Sequence, residues 1–514
     1  MENMGIISLI PPVLAIGLSI AFRRVEVSLF AALFVGLLII LHGNPVGTSM
    51  SLVKDYLIEQ ATDSYNAGVL VLLFFIGGFV ALVEKSGGGN ALAERSEKLI
   101  TSRTRAQFAT WLGSLAIFFS DLGTPLILGP IFENIYDKVK SSREKLAWIL
   151  DSTMSPVAVL IPFIGWGIYI MGLIADAFDR AHINASEFTT FVHVIPFQMY
   201  AILTVLSVPV VIFANADFGP MRRAEARTAY QNQRYWPGSK PLRGQNTQQN
   251  ETPKASRATL IWLPLAVLFT TLFGILISQG FPVKQVPGNE FRAALSTAYL
   301  FAAITLVVLM LLYKVSSLGS VFSTYVKGME RMINLVIILV LAWSLGALLD
   351  KMGTANYIVE ILQGNIPGFL VPALVFIAAG LMSFATGSSW GTFAIMIPLA
   401  IPIAQGLNAP MLVCIGAVLS GGIFGDHCSP ISDSTILAST GAAADHIDHV
   451  RTQIPYALTN GTIVLLMFIV AGITANPYTV VLGIILMIVS FVTIGRLMRK
   501  RDDAYAQIPQ PQTH

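Results

Sequence analysis

Long apolar runs, separated by short polar stretches, recur along the whole chain. Runs of membrane-spanning length lie roughly at 5–22, 27–42, 66–83, 146–175, 190–214, 258–280, 293–313, 332–349, 411–440, 455–473 and 477–495. A helix of about 20 apolar residues matches the hydrocarbon thickness of a bilayer. The pattern therefore predicts an all-α polytopic membrane protein with about eleven transmembrane helices.

Two further apolar regions, 107–136 and 370–405, differ from these runs because Gly, Ser, Thr or Pro interrupts each of them near its middle. Each region is either a pair of crossing helices or a re-entrant hairpin. If the first region, of 30 residues, crossed the membrane only once, every later segment would change sides, and the most basic loop, 215–257, would lie outside the cell, against the usual excess of basic residues in cytoplasmic loops. We therefore predict two re-entrant hairpins.

The distribution of Lys and Arg predicts the orientation. On this topology only five of the 32 basic residues lie outside, and none lies within the membrane core. The five are Lys54, Arg180, Lys284, Arg292 and Lys351. The positive-inside rule then predicts a multi-pass membrane protein with the N-terminus outside and the C-terminus in the cytoplasm.

Composition agrees with this class. Apolar residues make up 54% of the 514 residues and charged residues only 12%, and the mean hydropathy of +0.69 is outside the soluble range. The formal net charge of +3 reflects topology. We interpret the basic segment 215–257 as a solvated, partly disordered linker and not as a nucleic-acid surface. The two cysteines, Cys414 and Cys428, do not suggest a disulfide framework.

The two halves of the chain resemble each other. Residues 81–85 match 347–351 at an offset of 266. Gly123-Thr124 and Pro130 match Gly391-Thr392 and Pro398 at an offset of 268. A unit of five crossings and one hairpin has an odd number of crossings, so its second copy is inverted, as in many secondary transporters. The first predicted repeat is 1–214, with a hairpin at 107–136 and a broken helix at 146–175. A linker at 215–257 leads to the second repeat, 258–475, with a hairpin at 370–405 and a broken helix at 411–440. An extra C-terminal helix and a cytoplasmic tail follow at 476–514.

Helix breakers and polar residues occur together at four points within the apolar regions. Two are the hairpin tips, 120–125 and 383–392, and two are helices interrupted by Ser-Pro, 151–162 and 425–435. Irregular backbone in a bilayer needs protein or a water-filled cavity around it. An intramembrane carboxylate costs about 2.5 to 3.5 kcal/mol on insertion scales and marks a functional site. We therefore expect the four breaks to converge on one binding site near the midplane.

The residue types at these breaks suit a small hard cation, because carboxylates, hydroxyls and freed backbone carbonyls all offer oxygen. The predicted Na⁺ ligands are Asp121, Asp151, Asp426 and Asp433. The predicted neutral donors are Ser120, Thr124, Ser155, Thr386, Ser388, Ser389, Thr392, Ser429 and Ser432, and His427 is a neighbouring group able to titrate near neutral pH. For each hydroxyl the alternative role is capping of a half-helix.

A transition-metal site is the alternative interpretation of the sequence Asp426-His427-Cys428, which is followed by Asp433 and then by His446 and His449. The last two residues fall at the start of a predicted cytoplasmic helix, where solvation is the simpler expectation, so we do not favour zinc. An intramembrane hydrolase that used Asp or zinc would not need an inverted repeat. We therefore expect no catalytic residues, no metal cofactor and no enzymatic reaction.

The segment 425–437, which reads Gly-Asp-His-Cys-Ser-Pro-Ile-Ser-Asp-Ser-Thr-Ile-Leu, resembles the characteristic motif of the NhaC family of Na⁺/H⁺ antiporters, in the wider ion transporter superfamily. Residues 120–125, 386–392 and 453–456 support the resemblance. It covers most of the chain except the linker 215–257 and the terminal tail. The resemblance implies a scaffold and a transport domain with paired hairpins, a homodimer, and Na⁺ coupling at the hairpin tips and broken helices.

The function that the resemblance implies is export of Na⁺ in exchange for H⁺ by alternating access. The alternative is Na⁺-coupled transport of a small carboxylate or amino acid, which similar proteins carry out. The absence of basic residues from the membrane core favours exchange of cations alone, although helix N-termini also bind carboxylates. The expected partners are the lipid bilayer, Na⁺ and H⁺ and, in the alternative, a small organic solute.

Overall fold

The computed structural model describes residues 4–22, 24–88, 100–118, 123–242, 257–281, 286–363 and 365–506. Ser120 and Asp121, which the sequence predicts at the tip of the first hairpin, lie outside the described residues. All the named elements of the described residues are helices. Those of the first half are α1 Ile10–Phe22, α2 Val25–Ile40, α3 Pro45–Ser51, α4 Glu59–Thr62, α5 Ser64–Lys85, α6 Arg103–Ala116, α7 Gly123–Lys138, α8 Arg143–Asp151, α9 Ser155–Ala158, α10 Gly165–Arg180, α11 Glu187–Val194 and α12 Met199–Ala214.

Helix α13 Gly219–Tyr230 lies in the segment that joins the two halves. The helices of the second half are α14 Thr259–Ser278, α15 Gly288–Leu312, α16 Leu318–Glu330, α17 Ile333–Lys351, α18 Thr354–Leu362, α19 Val371–Thr386, α20 Ser389–Gly406, α21 Met411–Cys428, α22 Asp433–Gly441, α23 His446–Thr474 and α24 Thr479–Ala506. Across the described residues, ten helices are long and apolar enough to cross a membrane, or up to eleven with the bent pair Glu187–Phe197 and Met199–Ala214. The predicted all-α polytopic fold is confirmed.

Helix ends mark the predicted hairpins. Helices α6 and α7 occupy the first hairpin region, and α19 and α20 occupy the second. Gly387 ends α19 with a φ of 67°, a left-handed conformation that favours glycine. The next residue, Ser388, caps α20 by accepting a hydrogen bond from the backbone N–H of Gly391. Only Gly387 and Ser388 separate the two helices at this tip.

Helix ends also mark the two Ser-Pro breaks. In the first half, α8 ends at Asp151, and only the short helix α9 lies between it and α10. In the second half, α21 ends at Cys428 and α22 starts at Asp433. A serine caps the start of α8, where Ser142 accepts a hydrogen bond from the backbone N–H of Lys145, and another caps the start of α22, where Ser432 accepts one from the backbone N–H of Thr435. Each break therefore leaves a carboxylate beside a helix terminus.

Glycines allow α19 to pack directly on α21. A Cβ atom at Gly421 would lie 2.5 Å from the carbonyl oxygen of Phe376, and one at Gly425 would collide with the carbonyl oxygen of Gly380. Small residues four positions apart let two membrane helices approach closely. This contact holds Asp426, the residue after Gly425, beside the second hairpin.

The segment that joins the two halves packs against the protein over residues 215–242. Asp217 accepts hydrogen bonds from Lys145 Nζ at 2.5 Å and from the Tyr456 hydroxyl at 2.8 Å. Arg227 pairs with both carboxylate oxygens of Glu144, at 2.8 and 3.0 Å. The expected solvated linker is therefore wrong for this part of 215–257, because its charged residues find buried partners on α8 and α23.

Glu225, on α13, is a buried acid of this joining segment. It accepts hydrogen bonds from the Ser141 hydroxyl at 3.0 Å and from the backbone N–H of Ser142 at 2.7 Å. Burial, and then the nearby Asp217 carboxylate, raise the pKa of Glu225 above its ordinary value of 4.5. The folded state therefore favours the protonated form of this group.

We expect Glu225→Gln to remove part of the pH dependence of stability. For an acid with a raised pKa, the stabilisation is complete below the ordinary pKa and is lost as the pH rises through the raised pKa. The thermal midpoint of the variant in detergent, measured from about pH 5 to 8, should therefore rise relative to wild type as the pH increases. The exposed Glu330→Gln is the control. A constant difference between Glu225→Gln and wild type across this range would contradict the prediction.

Candidate functional site

Two buried carboxylates lie at the two helix breaks. Asp151, the last residue of α8, is wholly buried, and Asp426, in the last turn of α21, is 4% exposed. Among the described residues, neither carboxylate forms an ion pair with a Lys or an Arg. Burial of an ionised carboxylate is unfavourable unless a cation, a proton or several hydrogen bonds compensate it. The two breaks therefore carry the chemistry expected of a cation site.

Hydroxyl groups surround Asp426. Its Oδ1 accepts a hydrogen bond from the Ser432 hydroxyl at 2.9 Å, and its Oδ2 accepts one from the Ser434 hydroxyl at 2.8 Å. The two serine oxygens lie 2.8 Å apart. Both serines belong to the start of α22, so the break folds back onto the carboxylate that precedes it.

Asp151 has a different set of neighbours. Its Oδ2 accepts hydrogen bonds from Gln453 Nε2 at 2.6 Å and from the Thr435 hydroxyl at 3.1 Å. Two imidazoles flank it: His449 Nε2 lies 3.5 Å from Oδ2, and His427 Nε2 lies 3.8 Å from Oδ1. The carboxylate at the first break is therefore enclosed by residues of the second half.

Gln453 and His427 join the two breaks. The Gln453 amide nitrogen also lies 2.8 Å from the carbonyl oxygen of His427. His427 Nε2 lies 2.9 Å from the carbonyl oxygen of Asp151, and its Nδ1 lies 3.4 Å from the Tyr200 hydroxyl. Residues of α8, α12, α21 and α23 thus meet at one point, as expected for breaks that converge.

The predicted hydroxyl donors divide into two groups. Several bond to the backbone of their own helix or hairpin: Thr124 to Ile117, Thr386 to Met382, Thr392 to Ser388, and Ser388 as the cap of α20. Ser389 instead reaches across to the carbonyl oxygen of Gly422 on α21, at 3.3 Å. Of the predicted neutral donors, only Ser432 has a hydrogen bond to either buried carboxylate in the described part of the chain.

The other predicted residues at the Ser-Pro breaks differ in exposure. Ser155 starts α9 and is buried, and Ser429 is buried within the second break. Asp433 is the first residue of α22 and is exposed, so the structure does not bring it into the hydrogen-bonded cluster of Asp426.

Four polar residues near the carboxylates are absent from the predicted Na⁺ ligands and neutral donors: Ser434, Thr435, His449 and Gln453. The expectation that His449 would be solvated is wrong, because its side chain is wholly buried beside Asp151. The signal for two of them was their spacing, since positions 449 and 453 lie one helical turn apart on one face of α23. Among the described residues, no group of three His, Cys, Asp or Glu side chains is arranged to hold a metal ion.

Three buried basic residues lie on α8 and α13, and none of them contacts the two carboxylates. Lys145 pairs with Asp217, Arg143 pairs with Asp137 at 2.8 Å, and Arg227 pairs with Glu144. Each of these cations therefore already has a buried or half-buried acidic partner.

A cavity of about 580 Å³ lies at the far end of α10 from the first break. Six acids line it, together with Arg180, which pairs with one of them, Asp176. The acids are Glu59, Asp63, Asp176, Asp179, Glu187 and Asp350. At about 1.5 Å per residue, Asp176 is roughly 17 Å along α10 from Gly165, so the cavity is separate from the two buried carboxylates.

Comparison with known proteins places this geometry in a family. Residues 157–473 match the model of a family described as the Na⁺/H⁺ antiporter family. An uncharacterized protein of Haemophilus influenzae is 32% identical, over 96% of this chain and 95% of its own. A malate-2H(+)/Na(+)-lactate antiporter of Bacillus subtilis is 34% identical over 151 residues, which are 29% of this chain and 31% of that protein.

A solved structure shows the same fold. The YdaH transporter of Alcanivorax borkumensis superimposes with a TM-score of 0.58 at 15% sequence identity, covering 84% of this chain and 90% of that one. The family match spans more than half of the chain and includes the second hairpin, both sides of the second break and Gln453. The chain therefore belongs to the Na⁺/H⁺ antiporter family and is a Na⁺-coupled secondary transporter.

Proposed function

We propose that the protein exports Na⁺ in exchange for H⁺ by alternating access, and that Asp151 and Asp426 bind the two cations in turn. The observation that carries this proposal is the pair of buried carboxylates without a Lys or Arg partner among the described residues. A carboxylate in such a place is stable only when a cation, a proton or strong hydrogen bonds neutralise it. An exchanger requires a binding site that holds either Na⁺ or H⁺ whenever it moves between the two sides of the membrane.

Competition between the ions would couple the two fluxes. A carboxylate that holds a proton no longer attracts Na⁺, so a site facing outward exchanges Na⁺ for H⁺ and returns loaded with protons. The energy comes from the proton gradient. If the exchange moves net charge, the membrane potential adds about 2.3 kcal/mol per charge for each 100 mV.

The acid-lined cavity supports a cation as the cargo. Arg180 lines this cavity and Lys351 lies beside it. The predicted topology places both residues outside, so the cavity opens to the outside on that topology. Clefts lined by one sign of charge raise the local concentration of the opposite ion. Six acids at this mouth would therefore concentrate Na⁺ and H⁺ and repel organic anions.

The remaining parts of the proposal extend the family assignment. Ser120, Asp121 and Asp433 stay proposed ion ligands, which the first hairpin and a movement of α22 would bring to the site. The proposed setting is a bacterial inner membrane, with the N-terminus outside and the C-terminus in the cytoplasm. The proposed assembly is a homodimer.

The second candidate function is Na⁺-coupled exchange of a small carboxylate or amino acid. The named activity of the Bacillus subtilis relative favours it, because that protein is a malate-2H(+)/Na(+)-lactate antiporter. The pairing of Lys145, Arg143 and Arg227 with acids weighs against it, since a bound carboxylate is usually met by Arg or Lys.

We expect Na⁺ alone to dissipate a preformed pH gradient in proteoliposomes that contain the purified protein. The measurement is the fluorescence of a pH-sensitive dye after addition of NaCl, with choline chloride and protein-free liposomes as controls. Labelled malate and lactate, varied separately, should show no Na⁺-dependent uptake. Solute uptake that requires Na⁺, without any response of the pH gradient to Na⁺ alone, would overturn the proposal in favour of the second candidate.

A further inference from the structure

The polar atoms around Asp151 are incompletely paired, in contrast to those around Asp426. Asp151 Oδ1, Ser152 Oγ, Gln453 Oε1 and both ring nitrogens of His449 are buried without a hydrogen-bond partner in the described part of the chain. Both oxygens of Asp426, in contrast, accept hydrogen bonds from serines. Buried polar atoms without partners are rare and costly. Here they belong to two adjacent residues, Asp151 and Ser152, and to Gln453 and His449, which lie 2.6 and 3.5 Å from the Asp151 carboxylate.

The neighbours of Gln453 determine how its amide is oriented. The amide group lies 2.6 Å from a carboxylate oxygen of Asp151 and 2.8 Å from the carbonyl oxygen of His427. Both neighbours only accept hydrogen bonds, so the atom between them must be the NH₂ group. The other amide atom, Oε1, is therefore an acceptor without a donor. It belongs to the same side chain whose NH₂ group donates a hydrogen bond to the Asp151 carboxylate.

The unpaired atoms indicate which kind of ligand could bind beside Asp151. Three of them are oxygens of different kinds, from a carboxylate, an amide and a hydroxyl, which is the donor set of a hard cation. Among the described residues, no Lys or Arg contacts Asp151, and the titratable side chains beside it are the imidazoles of His449 and His427, at 3.5 and 3.8 Å. The carboxylate supplies one negative charge, which suits a monovalent ion.

We propose that Na⁺ binds to Asp151 Oδ1, Ser152 Oγ and Gln453 Oε1, in a site separate from the Asp426–Ser432–Ser434 cluster. This inference rests on the proposed Na⁺/H⁺ exchange and assigns the ligands that hold Na⁺ together with Asp151, while Asp426 stays the second cation-binding carboxylate of that exchange. Asp151 and Ser152 lie at the first break, whereas Gln453 lies on α23 in the second half. A movement that separated α8 from α23 would therefore break the oxygen shell and release the ion.

Ser152→Ala is the sharpest test, because the Ser152 hydroxyl has no hydrogen bond to lose. We expect the half-saturating Na⁺ concentration for dissipation of the pH gradient to rise about tenfold, which corresponds to about 1.4 kcal/mol. The matched control is Ser19→Ala, which removes another buried hydroxyl without a partner, from α1. Equal half-saturation in wild type, Ser152→Ala and Ser19→Ala would overturn the proposed site.

Two substitutions of Gln453 separate an ion ligand from a residue that only positions Asp151. Leucine removes the amide oxygen and the NH₂ group, whereas glutamate keeps an oxygen at the position of Oε1 and loses the donor. If Oε1 binds Na⁺, Gln453→Leu should raise half-saturation about tenfold or more, and Gln453→Glu should retain Na⁺ dependence and change the preference between Na⁺ and Li⁺. Equal impairment of both variants, with an unchanged Na⁺/Li⁺ ratio, would reduce Gln453 to a positioning residue and contradict its role as a ligand.

Binding of ²²Na⁺ to the purified variants in detergent makes the two proposals distinguishable. Weaker binding in Ser152→Ala than in Ser19→Ala supports the site, even if wild type fails to move protons and the proposed exchange is wrong. Normal exchange by wild type, together with identical ²²Na⁺ binding by Ser152→Ala and Ser19→Ala, overturns the site and leaves the exchange standing. Thermal midpoints of all variants, measured in the same detergent, identify any variant that fails to fold.

Discussion

Asp151→Asn and Asp426→Asn are each expected to abolish Na⁺/H⁺ exchange. The amide has nearly the same shape as the carboxylate, but it carries no negative charge and takes up no proton at physiological pH. Removal of one member of a buried charged interaction costs about 2 to 5 kcal/mol, and about 3 kcal/mol corresponds to a factor of more than 100 in affinity. The half-saturating Na⁺ concentration should therefore rise beyond the range that a vesicle assay can reach.

The measurement is the Na⁺-induced dissipation of a pH gradient in vesicles with equal amounts of each variant. Asp55→Asn, the same change at an exposed residue between α3 and α4, is the control and should exchange Na⁺ normally. Wild-type exchange in both Asp151→Asn and Asp426→Asn would exclude these carboxylates from the transport reaction. Retention of exchange in only one of them would assign the competition between Na⁺ and H⁺ to the other carboxylate.

Arg227→Met is expected to destabilise the protein more than any other change in the segment that joins the two halves. The side chains of Arg227 and Glu144 are 1% and 3% exposed, and two hydrogen bonds connect them. Arg227 also donates to the carbonyl oxygens of Gln233 and Arg234. Removal of one partner from a buried ion pair costs about 3 to 5 kcal/mol, because the other charge stays buried without compensation.

A double-mutant cycle with Glu144→Gln separates the ion pair from the lost packing of Arg227. Thermal midpoints in detergent should fall most in Arg227→Met and recover in part in the double variant, in which no uncompensated carboxylate remains. Additive effects of the two substitutions would show that the pair is not coupled. Such a result would contradict the interpretation that this segment is held to α8 by charge.

Local features of the sequence were sufficient for the outline of the fold. A membrane helix needs only a window of about 20 apolar residues. A break in it needs only Gly, Pro or a polar residue within that window. Neighbouring residues were therefore enough to predict the broken helix at 411–440, with its break at 425–435. The repeat pattern came from matches such as those of 81–85 and 347–351. Asp151 and Asp426 were identified because a carboxylate inside an apolar run is unfavourable without a function.

The partners of these carboxylates depend on helix packing. Asp151 and Gln453 are 302 positions apart in the chain, and their 2.6 Å contact exists only because α8 packs against α23. Burial of His449, Asp217 and Arg227 had the same cause, since polar residues that look solvated in sequence become buried when they find partners on distant helices. The sequence by itself determined which residues are polar inside the membrane, because that cost is local; only the tertiary structure decided which of them share a site, because that depends on contacts between distant helices.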